Sequence, residues 1–295
     1  MNLLRCATHT VVDLPATTLR YEQWLDYKVV EEGEVAADLA AAWGTPASAG
    51  RRYAVMQPRS GADVFLRFVE GDPVPDYLPI RSYGWAAIEI CVEDVLAVNA
   101  RMTQPGSPFA VIGQPTRIAG IDTIYPMQVR GPDQETLYFT EITTQETNSG
   151  LPTAESPIDK VFILVLASPD IQFTMDWFVT TLGFQVGDRI AIRYSMISQA
   201  FGLPSSDLHE IATAKWDTDV FLEFDQYPET TTVRAKHEDA LHPGVSICTL
   251  VHPAFDKIDV EWLAEPVVRH GALYGGRRVG TLKTPEGALL ELVAG

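Results

Sequence analysis

The sequence predicts an α+β protein of four βαβββ modules in two tandem halves, and two observations carry that prediction. The hexapeptide DVFLRF at Asp63 to Phe68 returns as DVFLEF at Asp219 to Phe224, and Asp13, Tyr21, Leu25 and Tyr27 return as Asp170, Phe178, Leu182 and Phe184. The hexapeptide offset, 219 − 63 = 156 residues, is about half of the 295-residue chain, as a copied unit requires. A shorter pattern then divides each half again: Leu66-Arg67-Phe68, Leu137-Tyr138-Phe139, Leu222-Glu223-Phe224 and Leu290-Glu291-Leu292 each close a strand-like segment. Side chains alternate along a strand, so the flanking apolar pair enters one core and the middle residue faces the other way.

The elements of each module follow in order. A β-rich run comes first: CATHTVV, AAIEICV, VFILVLA or VSICTLV. A helix-like segment is clearest at Pro169 to Leu182, where Ile171, Met175, Phe178 and Leu182 recur at helical spacing and Gly183 stands where a helix terminates. Hairpin turns at Arg59-Ser60-Gly61-Ala62, Gly131-Pro132-Asp133 and Pro285-Glu286-Gly287 then precede the last strands. The modules span residues 1–75, 80–145, 156–228 and 240–295, giving an N-terminal domain over 1–145 and a C-terminal one over 156–295. Thr143 to Pro157 is polar and without periodicity, and reads as the linker.

Composition bounds the partners. A net charge of −17 argues against a nucleic-acid surface, which needs Lys and Arg to neutralise phosphates, and against anionic membranes. It fits a solvated, self-repelling surface. Cys6, Cys91 and Cys248 lie far apart with no CxxC spacing, which fits a reducing cytoplasm. The first residues, MNLLRCATHTVVDL, do not form a signal peptide, and no run approaches the roughly 18 to 20 apolar residues of a membrane span. There is no GxSxG elbow, P-loop or GxGxxG motif.

Asp170, Phe178 and Leu182-Gly183-Phe184 resemble the opening of the vicinal oxygen chelate superfamily, and TPEGALLELV at Thr284 to Val293 is similar to its closing strand. The superfamily includes glyoxalase I, methylmalonyl-CoA epimerase, extradiol dioxygenases, fosfomycin-inactivating transferases and bleomycin-binding proteins. The resemblance implies glyoxalase-like domains in which paired modules close into a curved sheet around a cleft. It also implies a divalent metal in that cleft, held by residues from first and last strands, to stabilise an enolate or activate dioxygen. The implied first-strand positions, seven before the strand-ending Asp, are Cys6, Ala87, Ile163 and, with Pro253 in place of the Asp, Ser246. The last-strand positions are Arg67, Tyr138, Glu223 and Glu291. The two histidines of the family pattern are missing from both halves, and Arg67 would repel a cation, so no metal site of the family kind is expected and no cofactor is predicted.

Alternation furnishes a first cleft with Cys6, Thr8, Phe65, Arg67, Trp85, Glu89, Thr136, Tyr138 and Thr140. Arg67 could fix a carboxylate or enolate with Tyr138 or Glu89 as acid or base, or Arg67 and Glu89 could simply pair with each other. A second cleft is expected to hold Val165, Glu223, Cys248, Leu289 and Glu291 with Phe221 beside them. Two carboxylates in an apolar cleft raise each other's pKa, which makes a base that works near neutrality; the alternative is an inert relic of an ancestral metal site. His209 could approach this cleft or be an ordinary strand histidine, and alternation points His9 away from the first. The expected function is binding of a small oxygenated metabolite, carbonyl or aromatic, by a metal-independent lyase or isomerase. The alternatives are a non-catalytic binding protein of the bleomycin-resistance type and a metal enzyme with atypical ligands. A homodimer is compatible with the resemblance, although four modules in one chain complete both sheets internally.

Overall fold

A computed structural model describes residues 3–118, 121, 123–143 and 150–295. Part of the expected linker lies outside the described residues. The first module contains β1 (Leu4–Val11), α1 (Leu14–Leu25), β2 (Tyr27–Glu34), a short α2 (Ala37–Ala42), β3 (Arg52–Pro58) and β4 (Phe65–Glu70). The second contains β5 (Gly84–Val92), α3 (Val95–Met102), β6 (Ala110–Gly113), β7 (Ile124–Arg130) and β8 (Thr136–Ile142). The third runs through β9 (Ile158–Ser168), α4 (Ile171–Leu182), β10 (Gln185–Val186), β11 (Ile190–Arg193), α5 (Ser195–Phe201), β12 (Leu208–Trp216) and β13 (Asp219–Gln226). The fourth has β14 (Gly244–His252), β15 (Val267–Arg269), β16 (Arg277–Lys283) and β17 (Leu289–Ala294).

Local chemistry starts and stops these elements. Asp13, Asp94 and Asp170 each cap a helix, their carboxylates accepting first-turn N–H groups of Ala16, of Leu96 and Ala97, and of Phe173. Gly183 ends α4 at φ 69°, a left-handed conformation that glycine adopts without a Cβ clash. The fourth module has Pro253 where the capping carboxylate belongs, and its helix shrinks to one 3₁₀ turn, Phe255–Lys257. The hairpin turns fall where expected, between β3 and β4, β7 and β8, and β16 and β17.

The strands form two curved mixed sheets, ordered β15-β16-β17-β14-β1-β4-β3-β2 and β10-β12-β13-β9-β5-β8-β7-β6, with β11 also pairing β12. The fold class is therefore α+β with four βαβββ units, as the repeat predicts. The partnership of the modules differs from expectation. The first module joins the fourth through antiparallel β1 and β14, and the second joins the third through antiparallel β5 and β9. All four leading strands are similar apolar runs, so strand pattern alone leaves the choice of partner open.

The repeated triplets behave as alternation demands. Leu66, Phe68, Leu137, Phe139, Leu222, Phe224, Leu290 and Leu292 are all fully buried in one core that all four modules share. Buried faces of α1, α3 and α4 enter the same core. Arg67, Tyr138, Glu223 and Glu291 consequently face the opposite sides of the two sheets, where smaller apolar clusters line two clefts.

Candidate functional site

The first cleft lies on the β1, β4, β14, β17 sheet. Parallel register sets Thr8 opposite Arg67 and Thr249 opposite Glu291. Arg67 donates to Thr8 Oγ1 at 2.9 Å, to the Tyr274 hydroxyl at 2.5 Å and to Glu291 Oε1 at 3.2 Å. Glu291, fully buried, also accepts from Trp43 Nε1 at 2.8 Å, Thr249 Oγ1 at 2.9 Å and Tyr274 at 3.1 Å. The guanidinium stacks 4.6 Å over the Trp43 ring. Burial works against the charge on Arg67, yet Tyr274 and Glu291 more than offset it and raise its pKa. Burial pushes the Cys6 thiol up to about 12 despite Arg67 nearby, so it is a poor nucleophile. Above this closed pair lies a cavity of about 260 Å³ walled by Trp43, Tyr53, Arg67 and Tyr274. Phe65 carries the Arg5 guanidinium on its ring, 4.8 Å away.

The second cleft lies on the β5, β8, β9, β13 sheet. Glu89 on β5 is registered with Tyr138 on β8, and Glu223 on β13 with Val165 on β9. Tyr194, just before α5, donates its hydroxyl to Glu223 Oε1 at 3.1 Å, and its oxygen lies 3.1 Å from the Tyr138 hydroxyl. Asp225, two residues beyond Glu223 and so on the same face, shares a hydrogen bond with it. Burial and then Glu223 raise the Glu89 carboxyl well above its usual range, and Asp225 is raised likewise. Glu223 itself is raised by burial, moderated by hydrogen bonds from Asp225 and Tyr194. Glu89 and Glu223 are half-buried, whereas Asp225 is 1% exposed and its Oδ1 has no partner. Ala87, Ile163, Val165, Met196 and Ile211 supply apolar walls.

The two clefts therefore exchange several expected residues. Arg67 pairs with Glu291 rather than Glu89, because the first module faces the fourth. Cys6, Thr8 and Phe65 stay with Arg67, while Glu89, Tyr138, Thr136 and Thr140 stand on the other sheet with Glu223. Trp85 is in phase with Glu89 by count, but a register shift between Trp85 and Ala87 turns it into the shared core, where it donates Nε1 to Leu289 O at 2.8 Å. Cys248 and Phe221 are core residues, and Ser246, also out of phase with Thr249 and Glu291, donates to Thr8 O at 3.2 Å. His209 is on the cleft side of β12, but its Nε2 meets Ser198 Oγ at 2.9 Å, so it ties down α5. His9 points into the core beside Phe68, as alternation predicts, and burial lowers it to about 3.

Tyr194, Asp225, Trp43, Tyr274 and Thr249 were not expected. Asp225 and Thr249 carry a sequence signal, since Asp225 is two residues from Glu223 and Thr249 lies opposite Glu291; the three aromatics sit in segments without periodicity. The metal that the resemblance implies does not fit these residues. In the first cleft the guanidinium of Arg67 stands beside Glu291, and in the second Ala87 and Ile163 occupy the implied first-strand positions. Among the described residues, no three His, Cys, Asp or Glu side chains are grouped to hold a metal ion. No helix among them is long and apolar enough to cross a membrane.

No protein-family profile matches the sequence, and no curated protein matches it. Solved structures do. Glyoxalase I from Zea mays superposes with a TM-score of 0.62 at 13% identity, over 99% of this chain and 92% of that one. A candidate dioxygenase from Bacillus subtilis superposes with a TM-score of 0.60 at 12% identity, over 99% and 85%. At such identities the likeness concerns the backbone, and it extends over all four modules. The chain thus shares its four-module fold with these glyoxalase I and dioxygenase structures.

Proposed function

We propose that the second cleft binds a small oxygenated metabolite, a carbonyl or aromatic compound, and acts on it as a metal-independent lyase or isomerase. The observation that carries this reading is the convergence of Glu89, Glu223 and Asp225 with Tyr138 and Tyr194 between apolar walls. An ordinary carboxyl is ionised at neutral pH and can only accept hydrogen bonds. Here burial and mutual repulsion keep protons on the cluster, so one carboxylic acid can donate while its neighbour accepts. In this reading Glu223 takes a proton from carbon next to a carbonyl, and protonated Glu89 or a tyrosine hydroxyl donates to the carbonyl oxygen as charge develops there. Relatives of this fold include glyoxalase I, which supports an oxygenated small molecule as the class of ligand. The closed Arg67–Glu291 pair has no comparable spare capacity.

Proton exchange at carbon tests the proposal. The protein in D₂O with a panel of α-hydroxy ketones and aldehydes should wash deuterium into one of them, followed by NMR. Glu223→Gln should slow that exchange by roughly 10² or more while leaving the ligand's affinity nearly unchanged. Because the base carries a raised pKa, the rate should climb with pH above the normal carboxylate range and fall again as the donor ionises; the two steps belong to the cluster as a whole. A ligand that binds without any exchange, and is merely held less tightly by Glu223→Gln, would instead mark a binding protein.

A further inference from the structure

A second polar cavity lies away from both clefts, where the start of β5 meets the start of β14 and the β16–β17 hairpin. It measures about 110 Å³ and is lined by Arg234, His242, Ser246, Glu286 and the backbone of Gly84 and Gly287. That is room for a small polyatomic ion or several waters. Arg234 is only 7% exposed. Its guanidinium donates to Ser82 Oγ at 2.9 Å, Trp85 O at 2.7 Å and Val245 O at 2.9 Å, so it joins one sheet to the other. All these acceptors are neutral. Among the described residues no carboxylate forms an ion pair with Arg234.

A buried charge is normally paired, because desolvation without a counterion is costly. Burial and the fields of Arg234, Lys236 and Lys283 push His242 down to about 3, so its ring is neutral. Glu286 is the one carboxylate on the wall; its Oε1 is engaged by Thr174 and its Oε2 has no partner. We propose that this cavity is a binding site for a small oxyanion, a phosphate or carboxylate group, which serves as the counterion of Arg234. A neutral His242 ring lines the same space and offers a hydrogen-bond donor. Such an anion would bind at the junction between the sheets and stabilise the folded state by mass action.

Titration calorimetry with inorganic phosphate and, separately, acetate, each at ionic strength fixed with sodium chloride, tests the site. Saturable one-to-one binding of either is expected, and which one binds separates a phosphate from a carboxylate ligand. Arg234 itself links Trp85 to Val245, so its loss would disturb the fold, and two charge variants at the cavity carry the decision. Lys283→Glu should weaken the anion about tenfold and Glu286→Gln should strengthen it several-fold, with circular dichroism confirming that both fold. The proposal is overturned if neither anion binds, or if the two variants leave the affinity where it was.

Discussion

Glu291 and Arg67 show what a satisfied buried pair does at the scale of single residues. Four donors converge on one carboxylate, and removing it would strand the guanidinium in the sheet. Glu291→Ala should therefore cost about 3–5 kcal/mol in urea unfolding, whereas Arg67→Met with Glu291→Leu together should cost much less. Glu135 makes the opposite case. It is 2% exposed, and burial with Asp133 nearby raises its pKa to about 8, although backbone N–H groups of Glu135 and Asp133 moderate the rise. A raised carboxyl means that the folded state holds the proton longer than the unfolded chain. Its contribution is whole below the ordinary glutamate range and is lost as pH rises toward 8. Glu135→Gln should flatten that fall, giving a variant more stable than the parent by a few kcal/mol at most near pH 8.5. Strand alternation made Arg67, Tyr138, Glu223 and Glu291 legible as cleft residues in the sequence. It was equally able to reveal Asp225, while Tyr194, Trp43 and Tyr274 arrive from irregular segments that carry no period.

At the scale of elements, the helices follow their caps. Asp170 satisfies the Phe173 N–H at 3.0 Å and Gly183 closes the other end of α4, so the helix seen in the sequence is the helix formed. The replacement of this carboxylate by Pro253 in the fourth module accompanies the loss of a helix there, leaving the chain from Ile258 to Pro266 to cover the sheet without one. Asp170→Ala should destabilise the protein by about 1 kcal/mol, read as a lower urea midpoint at unchanged slope. Restoring the carboxylate with Pro253→Asp should not rebuild a helix, because the segment that follows is tied to β16, with the Trp262 ring packed on Gly280 and the Leu263 N–H donated to Thr281 O at 2.9 Å. Far-ultraviolet circular dichroism would show a gain of helix if that reasoning fails.

The whole molecule is an interleaved object. Each sheet takes one module from either side of the linker, and the shared core draws on all four. The repeat at 156 residues made four modules legible, but it could not say which would be partners, since β1, β5, β9 and β14 are interchangeable as apolar strands. Partner choice is accompanied by contacts no local pattern encodes: Arg67 of the first module meets Glu291 of the fourth at 3.2 Å, and Tyr194 of the third meets Tyr138 of the second at 3.1 Å. A polypeptide of residues 1–145 alone would leave β1 without β14 and β5 without β9, exposing unpaired backbone and apolar faces together. Expressed separately, 1–145 and 156–295 should each be insoluble or lack a cooperative transition. Expressed together, they should co-purify as a one-to-one complex that unfolds in a single step, because the sheets and not the linker hold the halves. A soluble, cooperatively folding 1–145 on its own would mean that β1 and β5 can pair with each other, and that the interleaved arrangement is one of two open to this repeat.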